Sequence, residues 1–228
     1  ATQALNVTSP SATANEGVGI RLSAASGSNE AVGIIGMVNN SSGNYGSMTF
    51  HTYSGGSYMT ERMRIDSGGH AIISGGVTLG NGLTYAAANT LDDYEEGTWT
   101  PVVTGSTGTP SSITYHTSPS GTYTKTGRVV TIAFYLHINT VTGGSGSFRL
   151  NMPFTAITPS GGFSGAISLY QVASSSYSDP VLQVGNGSIG IMCASGANGS
   201  FSQVSWGHAP LSVFASGSAM SGTVTYFV

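Results

Sequence analysis

The sequence has 228 residues and a net charge of −3, and only 7% of its residues are charged, against roughly 25% in an average soluble domain. No apolar run approaches the roughly 18 residues that cross a bilayer, and a hydrophobic content of 39% with little net charge excludes intrinsic disorder. Six basic residues are too few to cover a phosphate backbone, so we expect neither nucleic acid binding nor membrane insertion.

The first part of the chain, residues 1–92, consists of short apolar runs separated by turn residues. Each run is four to nine residues long, which is typical of β-strands. The segment Tyr85–Tyr94 contains three consecutive alanines, and a short helix is one interpretation of it. Strands with so little side-chain bulk cannot form a wide core within one chain, so we expect several copies to intertwine as a β-rich shaft. The runs are GVGIRLSAA, AVGIIGMV, GSMTFHTY, ERMRI, HAIIS and VTLG.

The acidic stretch Thr90–Pro101 marks a change in charge along the chain. Residues 1–103 carry three Arg and eight of the nine acids, a net charge of −5, whereas residues 104–228 carry a net charge of +2. We therefore divide the chain into a shaft and trimerisation module, residues 1–92, and a C-terminal head module, residues 93–228. The cluster Asp92–Glu96 is typical of a solvated junction or a helix cap, and calcium binding and catalysis are two further hypotheses for it.

The C-terminal module alternates more regularly. In the run Arg128–Ile138, apolar side chains from Val130 to Ile138 share one face, and the residues from Val129 to His137 share the other. Because both faces are largely apolar, we expect this strand to lie between two packed layers. Further strand candidates recur roughly every 8–15 residues, a spacing typical of a β-sandwich or jelly roll. They are Ile113–His116, Gly121–Lys125, Phe148–Asn151, Phe163–Val172, Val181–Val184, Ser188–Cys193, Phe201–Trp206, Leu211–Phe214 and Thr223–Val228.

Two stretches carry a resemblance to a known family. The segment YMTERMRIDSGGHAIISGG, Tyr58–Gly76, resembles a segment that recurs in bacteriophage tail-fibre and virion appendage proteins. NTLDDYEEGTWTPVVTGSTG, Asn89–Gly108, followed by GTYTKTGRVVTI, Gly121–Ile132, resembles a C-terminal module of phage structural proteins. The sequence departs from the first pattern at His70 to Ile72, where Asn-Val-Gly is more usual. The resemblance implies a trimeric, rod-like assembly with a distal host-binding head, and it supplies no catalytic residues.

Residues that would carry catalysis or hold a metal are not evident. Glycoside hydrolysis generally needs two carboxylates about 5–9.5 Å apart, and residues 104–228 contain only Asp179. The five histidines show neither His-x-His nor HExxH spacing, and the single cysteine excludes an intrachain disulfide framework. We therefore expect no enzyme activity, no metal and no cofactor.

Polar and aromatic residues between the predicted C-terminal strands suit the recognition of a sugar. An aromatic ring packs on the C–H face of a pyranose, while amide, carboxylate and imidazole groups bind its hydroxyls. Ordinary turn and core roles are the alternative, since Trp206 also suits a core position. The candidate receptor-binding residues lie in the segments Ser174–Pro180, Ser195–Phe201 and Ser205–Pro210, and they are Tyr177, Asp179, Asn198, Trp206 and His208.

Together these features predict a bacteriophage tail-fibre or receptor-binding protein that attaches to host surface glycans as a homotrimer. We expect it to be assembled in the bacterial cytoplasm, without disulfides, and to act in the virion beside other tail or capsid proteins. One alternative is a purely structural fibre, capsid-decoration protein or baseplate protein that binds no receptor. A second alternative is a tailspike-type polysaccharide hydrolase.

Overall fold

The computed structural model describes residues 17–23, 32–39, 46–53, 59–79, 84–157, 162–172, 177–185, 187–195 and 205–228. Within the strands, it describes only the backbone of residues 22–23, 32–33, 39, 59, 177–178, 192–195 and 205–207. Strands dominate this part of the chain, with two short 3₁₀ helices, so the all-β prediction is confirmed. The chain forms two compact units, residues 1–92 and 93–228. No helix in the described ranges is long and apolar enough to cross a membrane.

The N-terminal unit contains a five-stranded antiparallel sheet whose strands neighbour one another in chain order. A separate pair of two-residue strands follows it. A short 3₁₀ helix, Ala87–Asn89, lies in the segment for which a helix was one interpretation. The strands are β1 Gly17–Ser23, β2 Val32–Asn39, β3 Gly46–Tyr53, β4 Met59–Ile65, β5 Ala71–Ile73, β6 Val77–Thr78 and β7 Thr90–Leu91.

One face of this sheet is apolar and exposed. The register places Ile20 opposite Ile35 and Ile35 opposite Phe50, and side chains two residues apart on each strand share that face. The opposite face carries Ser47 and Thr49, which are buried at 0% and 1% exposure. Six large members of the apolar face are 37–49% exposed in the single chain. The N-terminal apolar face consists of Val18, Ile20, Ile35, Met37, Met48, Phe50, Met63, Ile65 and Ile73.

The segment that resembles phage appendage proteins forms the β4–β5 hairpin. Asp66 closes its turn, since Oδ1 accepts hydrogen bonds from the backbone N–H groups of Gly68 and His70, both at 2.9 Å. Gly69 adopts a φ of 85°, which favours glycine. Before the turn, the Arg64 guanidinium donates to both carboxylate oxygens of Glu61 and holds the pKa of that carboxyl below its usual range. The motif residues therefore have a local structural role in the hairpin.

The C-terminal unit is one continuous ten-stranded sheet that curls around a common core. Its neighbour order is β8-β10-β11-β17-β13-β14-β15-β12-β9, with β16 also paired to β15. The predicted sandwich thus takes the form of a single curled sheet. The strands are β8 Tyr94–Trp99, β9 Val103–Gly105, β10 Gly108–Thr126, β11 Val129–Ser145, β12 Phe148–Leu150, β13 Phe163–Tyr170, β14 Tyr177–Gly185, β15 Ser188–Ser195, β16 Ser205–His208 and β17 Ala219–Phe227.

The core follows from strict alternation along the long strands. Val130, Ile132 and Leu136 of β11 are fully buried, and they belong to one cluster with Leu182 of β14 and Ile189 of β15. The intervening side chains of β11 point to the other side of the sheet. This side is exposed, so the expectation that β11 lies between two packed layers is wrong. The outer face of β11 is therefore exposed to solvent in the single chain.

Two strand predictions need correction. The candidates Ile113–His116 and Gly121–Lys125 belong to one strand of 19 residues, β10, in which register shifts accommodate Pro110 and Pro119. The candidate Leu211–Phe214 is a 3₁₀ helix over Leu211–Val213, whose Leu211 and Val213 side chains are buried. Strand β10 shows that bulges absorb residues usually taken as strand breaks.

Candidate functional site

The predicted receptor-binding residues fall mainly on strands. Tyr177 and Asp179 belong to β14, and Trp206 and His208 belong to β16, so their placement in loops is wrong. Both strands pair with β15: Tyr177 lies opposite Ser195, and the backbone of Ala194 pairs with Trp206. Four of the five predicted residues therefore lie on β14 and β16, the two strands that flank the second half of β15.

Three of the five predicted residues either are described by the backbone alone or lie outside the described ranges. Asn198 lies outside the described residues, and Tyr177 and Trp206 are described by their backbones alone. Asp179 is exposed, adopts a positive φ of 50°, and lies at the register shift between Ser178 and Val181. The bulge explains why this Ser-Asp-Pro stretch resembles a turn in the sequence while it continues a strand in the fold.

His208 has a defined polar partner. The Nη1 group of Arg149 donates a hydrogen bond to His208 Nδ1 at 3.1 Å. Because a guanidinium only donates, Nδ1 must accept, and the imidazole is neutral with its proton on Nε2. Burial, followed by the charge of Arg149, lowers the pKa of His208. Sequence reasoning singled out His208 and missed Arg149, which lies 59 residues away in sequence.

The side chains best placed for recognition lie on the outer face of the sheet, between β11 and β13. Tyr135 lies opposite Ser221 of β17, and Ser221 lies opposite Ser168 of β13. In the next row, His137 lies opposite Ala219, and Ala219 lies opposite Tyr170. These residues, with Met220, line an open groove of about 320 Å³, the tyrosine groove: Tyr135, His137, Ser168, Tyr170, Ala219, Met220 and Ser221.

The tyrosine groove combines aromatic walls with a floor of apolar and polar residues, Ala219, Met220 and Ser221 of β17. Tyr135 is 41% exposed and Tyr170 is 62% exposed. They lie two strands apart, roughly 10 Å across the sheet. The exposed Ser221 lies on the strand between them, and the exposed Ser168 lies on the same strand as Tyr170. The ring of His137 packs against that of His116, with 4.2 Å between the ring centroids. Exposed tyrosines beside serine hydroxyls offer both surfaces that a sugar requires, a flat apolar face and hydrogen-bonding groups.

Sequence reasoning missed Tyr170 and assigned Tyr135 to a packed face. The sequence of β13 did contain a signal for an exposed face. Ser164, Ser168 and Tyr170 alternate with apolar Ile167 and Leu169, a pattern typical of a strand with one solvent-exposed face and one face on the core. The sequence does not indicate that β17 lies between β11 and β13. Only that neighbour order brings the two tyrosines to one groove.

The acidic cluster Asp92–Glu96 is exposed to solvent and lies where the chain divides into its two units. Glu95 and Glu96 lie on strand β8, which pairs with β10. Lys125 of β10 forms an ion pair with Asp93, and the hydroxyl of Tyr123 donates to Glu95, which raises the tyrosine pKa. Within the described residues, no three His, Cys, Asp or Glu side chains are placed to hold a metal ion.

Comparisons with known proteins give one similar structure. No family model matches the chain, and no curated protein matches it. The structure is similar to the crystal structure of the Dettilon tailspike protein (gp208), with 19% sequence identity and a TM-score of 0.42. The match covers 59% of this chain and 24% of the tailspike chain. A likeness of this size transfers no functional residue to the chain.

Proposed function

We propose that this protein is part of a bacteriophage tail fibre or related virion appendage that attaches to glycans of the host surface, and that it has no catalytic activity. The observation that carries glycan attachment is the tyrosine groove. Support for the phage setting comes from the all-β fold and from the sequence segments Tyr58–Gly76, Asn89–Gly108 and Gly121–Ile132.

The groove supports sugar binding because Tyr135 and Tyr170 are exposed and lie outside the core cluster formed by the described residues. The buried face of β11 supplies the core through residues such as Ile132 and Leu136, whereas Tyr135 on the opposite face contributes nothing to that core. Exposed aromatic side chains arranged in a groove mark interaction sites more often than scattered surface residues do. An open groove also fits a polymer, which enters from the side.

The N-terminal apolar face supports self-association. In water, a face with six large apolar side chains 37–49% exposed is unfavourable, and contact with a second copy removes this area from solvent. We propose a homotrimer as the arrangement, because the sequence resembles trimeric appendage proteins. Other virion tail or capsid proteins are its further partners.

Trimerisation allows weak individual sugar contacts to hold a virion on a cell. A shallow groove binds a sugar weakly, because an open surface buries little of the ligand. Three grooves on one fibre, and several fibres on one virion, raise the total strength of attachment without any new contact. A non-enzymatic adhesin of this kind depends on the number of sites rather than on the affinity of each.

The test is binding of the fluorescently labelled chain to a panel of bacterial cells, with and without polysaccharide released from the same cells as competitor. We expect saturable binding to some strains and its loss with the matching polysaccharide. A chain that binds no strain supports the purely structural fibre. An increase in reducing ends when the protein is incubated with the polysaccharide contradicts the non-enzymatic proposal.

A further inference from the structure

Arg149 occupies a fixed position on the outer face of the C-terminal sheet. Its neighbours in β12, Phe148 and Leu150, are both 0% exposed in the core, so alternation directs the Arg149 side chain away from the core. Strand β12 pairs with β9 on one side and with β15 on the other, where Arg149 lies opposite Gly190. The backbone that carries this arginine is therefore held on both sides.

The guanidinium is positioned by three residues. Nη1 donates to the backbone oxygen of Phe148 at 3.3 Å and to His208 Nδ1 at 3.1 Å. A Cβ atom at Gly190 would lie 2.3 Å from Arg149 Nη1 and 3.0 Å from His208 Nδ1. Because glycine has no side chain, the space above Gly190 is open, and the guanidinium and the imidazole meet there.

The positive charge of Arg149 has no carboxylate beside it among the described residues. In the same unit, Lys125 pairs with Asp93, and the Nε group of Arg128 donates to the backbone oxygen of Val228. Burial lowers the pKa of Arg149, whereas an adjacent carboxylate would raise it. Within the described residues, its Nε and Nη2 groups donate to no protein acceptor. A half-buried charge without a counterion is unfavourable, and an anionic ligand would relieve that cost.

We propose that Arg149 and His208 form a subsite for an oxyanion carried by a sugar, either the carboxylate of a uronic acid or the phosphate of a sugar phosphate. The unused edge of the guanidinium binds the oxyanion with two parallel hydrogen bonds, the geometry that arginine provides and lysine does not. His208 orients the guanidinium by accepting a hydrogen bond from Nη1. The inference rests on the proposed function only in taking the anion to be part of a glycan.

The experiment measures binding of three probes to the full chain by calorimetry: trigalacturonate, its fully methyl-esterified form and glucose 1-phosphate. We expect trigalacturonate or glucose 1-phosphate to bind and the neutral ester to bind at least tenfold more weakly. Preference for trigalacturonate or for glucose 1-phosphate distinguishes the two sources of the oxyanion. Failure of all three probes to bind at millimolar concentration overturns the proposal.

Three variants separate a positioned guanidinium from charge in general. Arg149→Gln is expected to lower the affinity for the anionic probe roughly tenfold or more. Gly190→Ala keeps the positive charge but displaces Nη1, and we expect it to lower the affinity by a similar factor. The matched control Arg128→Gln removes one positive charge elsewhere in the unit and is expected to bind as the unchanged protein does. Equal losses in Arg149→Gln and Arg128→Gln overturn the proposal, as does unchanged binding in Arg149→Gln.

Thermal melts followed by circular dichroism identify any variant that fails to fold. If Arg149→Gln or Gly190→Ala fails to fold, Arg149→Lys takes its place, because lysine keeps the positive charge and lacks the planar guanidinium that forms two parallel hydrogen bonds. Tyr170→Ala serves to distinguish the two sites. If Tyr170→Ala keeps all glycan binding while Arg149→Gln loses the anionic part, the tyrosine groove fails and the anion subsite stands. The reverse result removes the subsite and leaves the groove.

Discussion

Tyr135 and Tyr170 lie on the same exposed face of the C-terminal sheet, on two strands that both pair with β17, and they form opposite walls of one groove. The two tyrosines are far apart in sequence, and only the order of the strands in the sheet brings them together. Because Leu136 and Leu169 point to the other side of the sheet, toward the core, the two tyrosines are free to vary without altering core packing. This separation allows binding and stability to be tested independently.

A single wall of the groove is tested by Tyr170→Ala. Loss of one aromatic contact worth about 1 kcal/mol weakens binding of a neutral oligosaccharide roughly fivefold, and we expect the melting temperature to stay within about 2 °C since Tyr170 is 62% exposed. Tyr170→Phe keeps the ring and is the matched control. Equal losses in the two variants would show that the hydroxyl, and not the aromatic face, carries the contact.

Self-association is tested on the N-terminal apolar face with Met37→Lys. Light scattering of the unchanged chain is expected to give about three times 23.1 kDa, and a lysine in an apolar contact is expected to shift the population toward the monomer, because burying an unpaired charge is costly. Val129→Lys alters a valine of the C-terminal unit that is 39% exposed and serves as control. A monomeric unchanged chain at micromolar concentration would refute the trimer.

The core is tested by Phe148→Ala. Phe148 is 0% exposed, and its ring centroid lies 4.5 Å from that of Phe214. Removing the ring leaves a cavity, so we expect the free energy of unfolding to fall by about 3–5 kcal/mol. Phe227→Ala removes a phenylalanine that is 43% exposed, and its cost should be clearly smaller. Denaturant unfolding measures both, and equal costs would contradict the assigned core.

Alkaline stability is tested at Tyr226. Its hydroxyl donates to the backbone oxygen of Phe154 at 3.2 Å, and burial raises its pKa to about 12, against about 10 in an unfolded chain. The raised pKa means that the phenol's contribution to stability is fully present below about pH 10 and is lost as the pH rises through about 12. We expect stability to fall less steeply over this interval in Tyr226→Phe, as measured by unfolding at several pH values. Parallel curves would contradict the assignment.

The alternation in β11 allowed one face of the core to be predicted, because apolar residues at every second position along Val130–Ile138 indicate a β-strand with those side chains on one side. The same pattern led to the wrong expectation that the second face is covered, because whether a face is covered depends on what packs against it and not on its own residues. Strand β10 was divided in two because Pro119 and Gly121 are usual strand breaks, whereas register shifts carry the strand through them.

The site was less predictable than the fold. Residues near turns, such as Asp179, were favoured because loops commonly carry function, yet Asp179 lies on a bulged strand. The partnership of Arg149 with His208 depends on β12 and β16 meeting the same edge of β15, a long-range pairing that no local pattern encodes. The sequence around Gly190 also did not indicate its role, because that role is to leave room for the side chains of Arg149 and His208, which come from other strands.

The most direct test of glycan attachment is cell binding by the double variant Tyr135→Ala, Tyr170→Ala, compared with the unchanged chain on a strain that the unchanged chain binds. Removing both walls of the groove is expected to reduce binding to background, because avidity multiplies the loss at each site, while light scattering and thermal melts remain those of the unchanged chain. Cell binding by a folded double variant at the level of the unchanged chain would contradict the account.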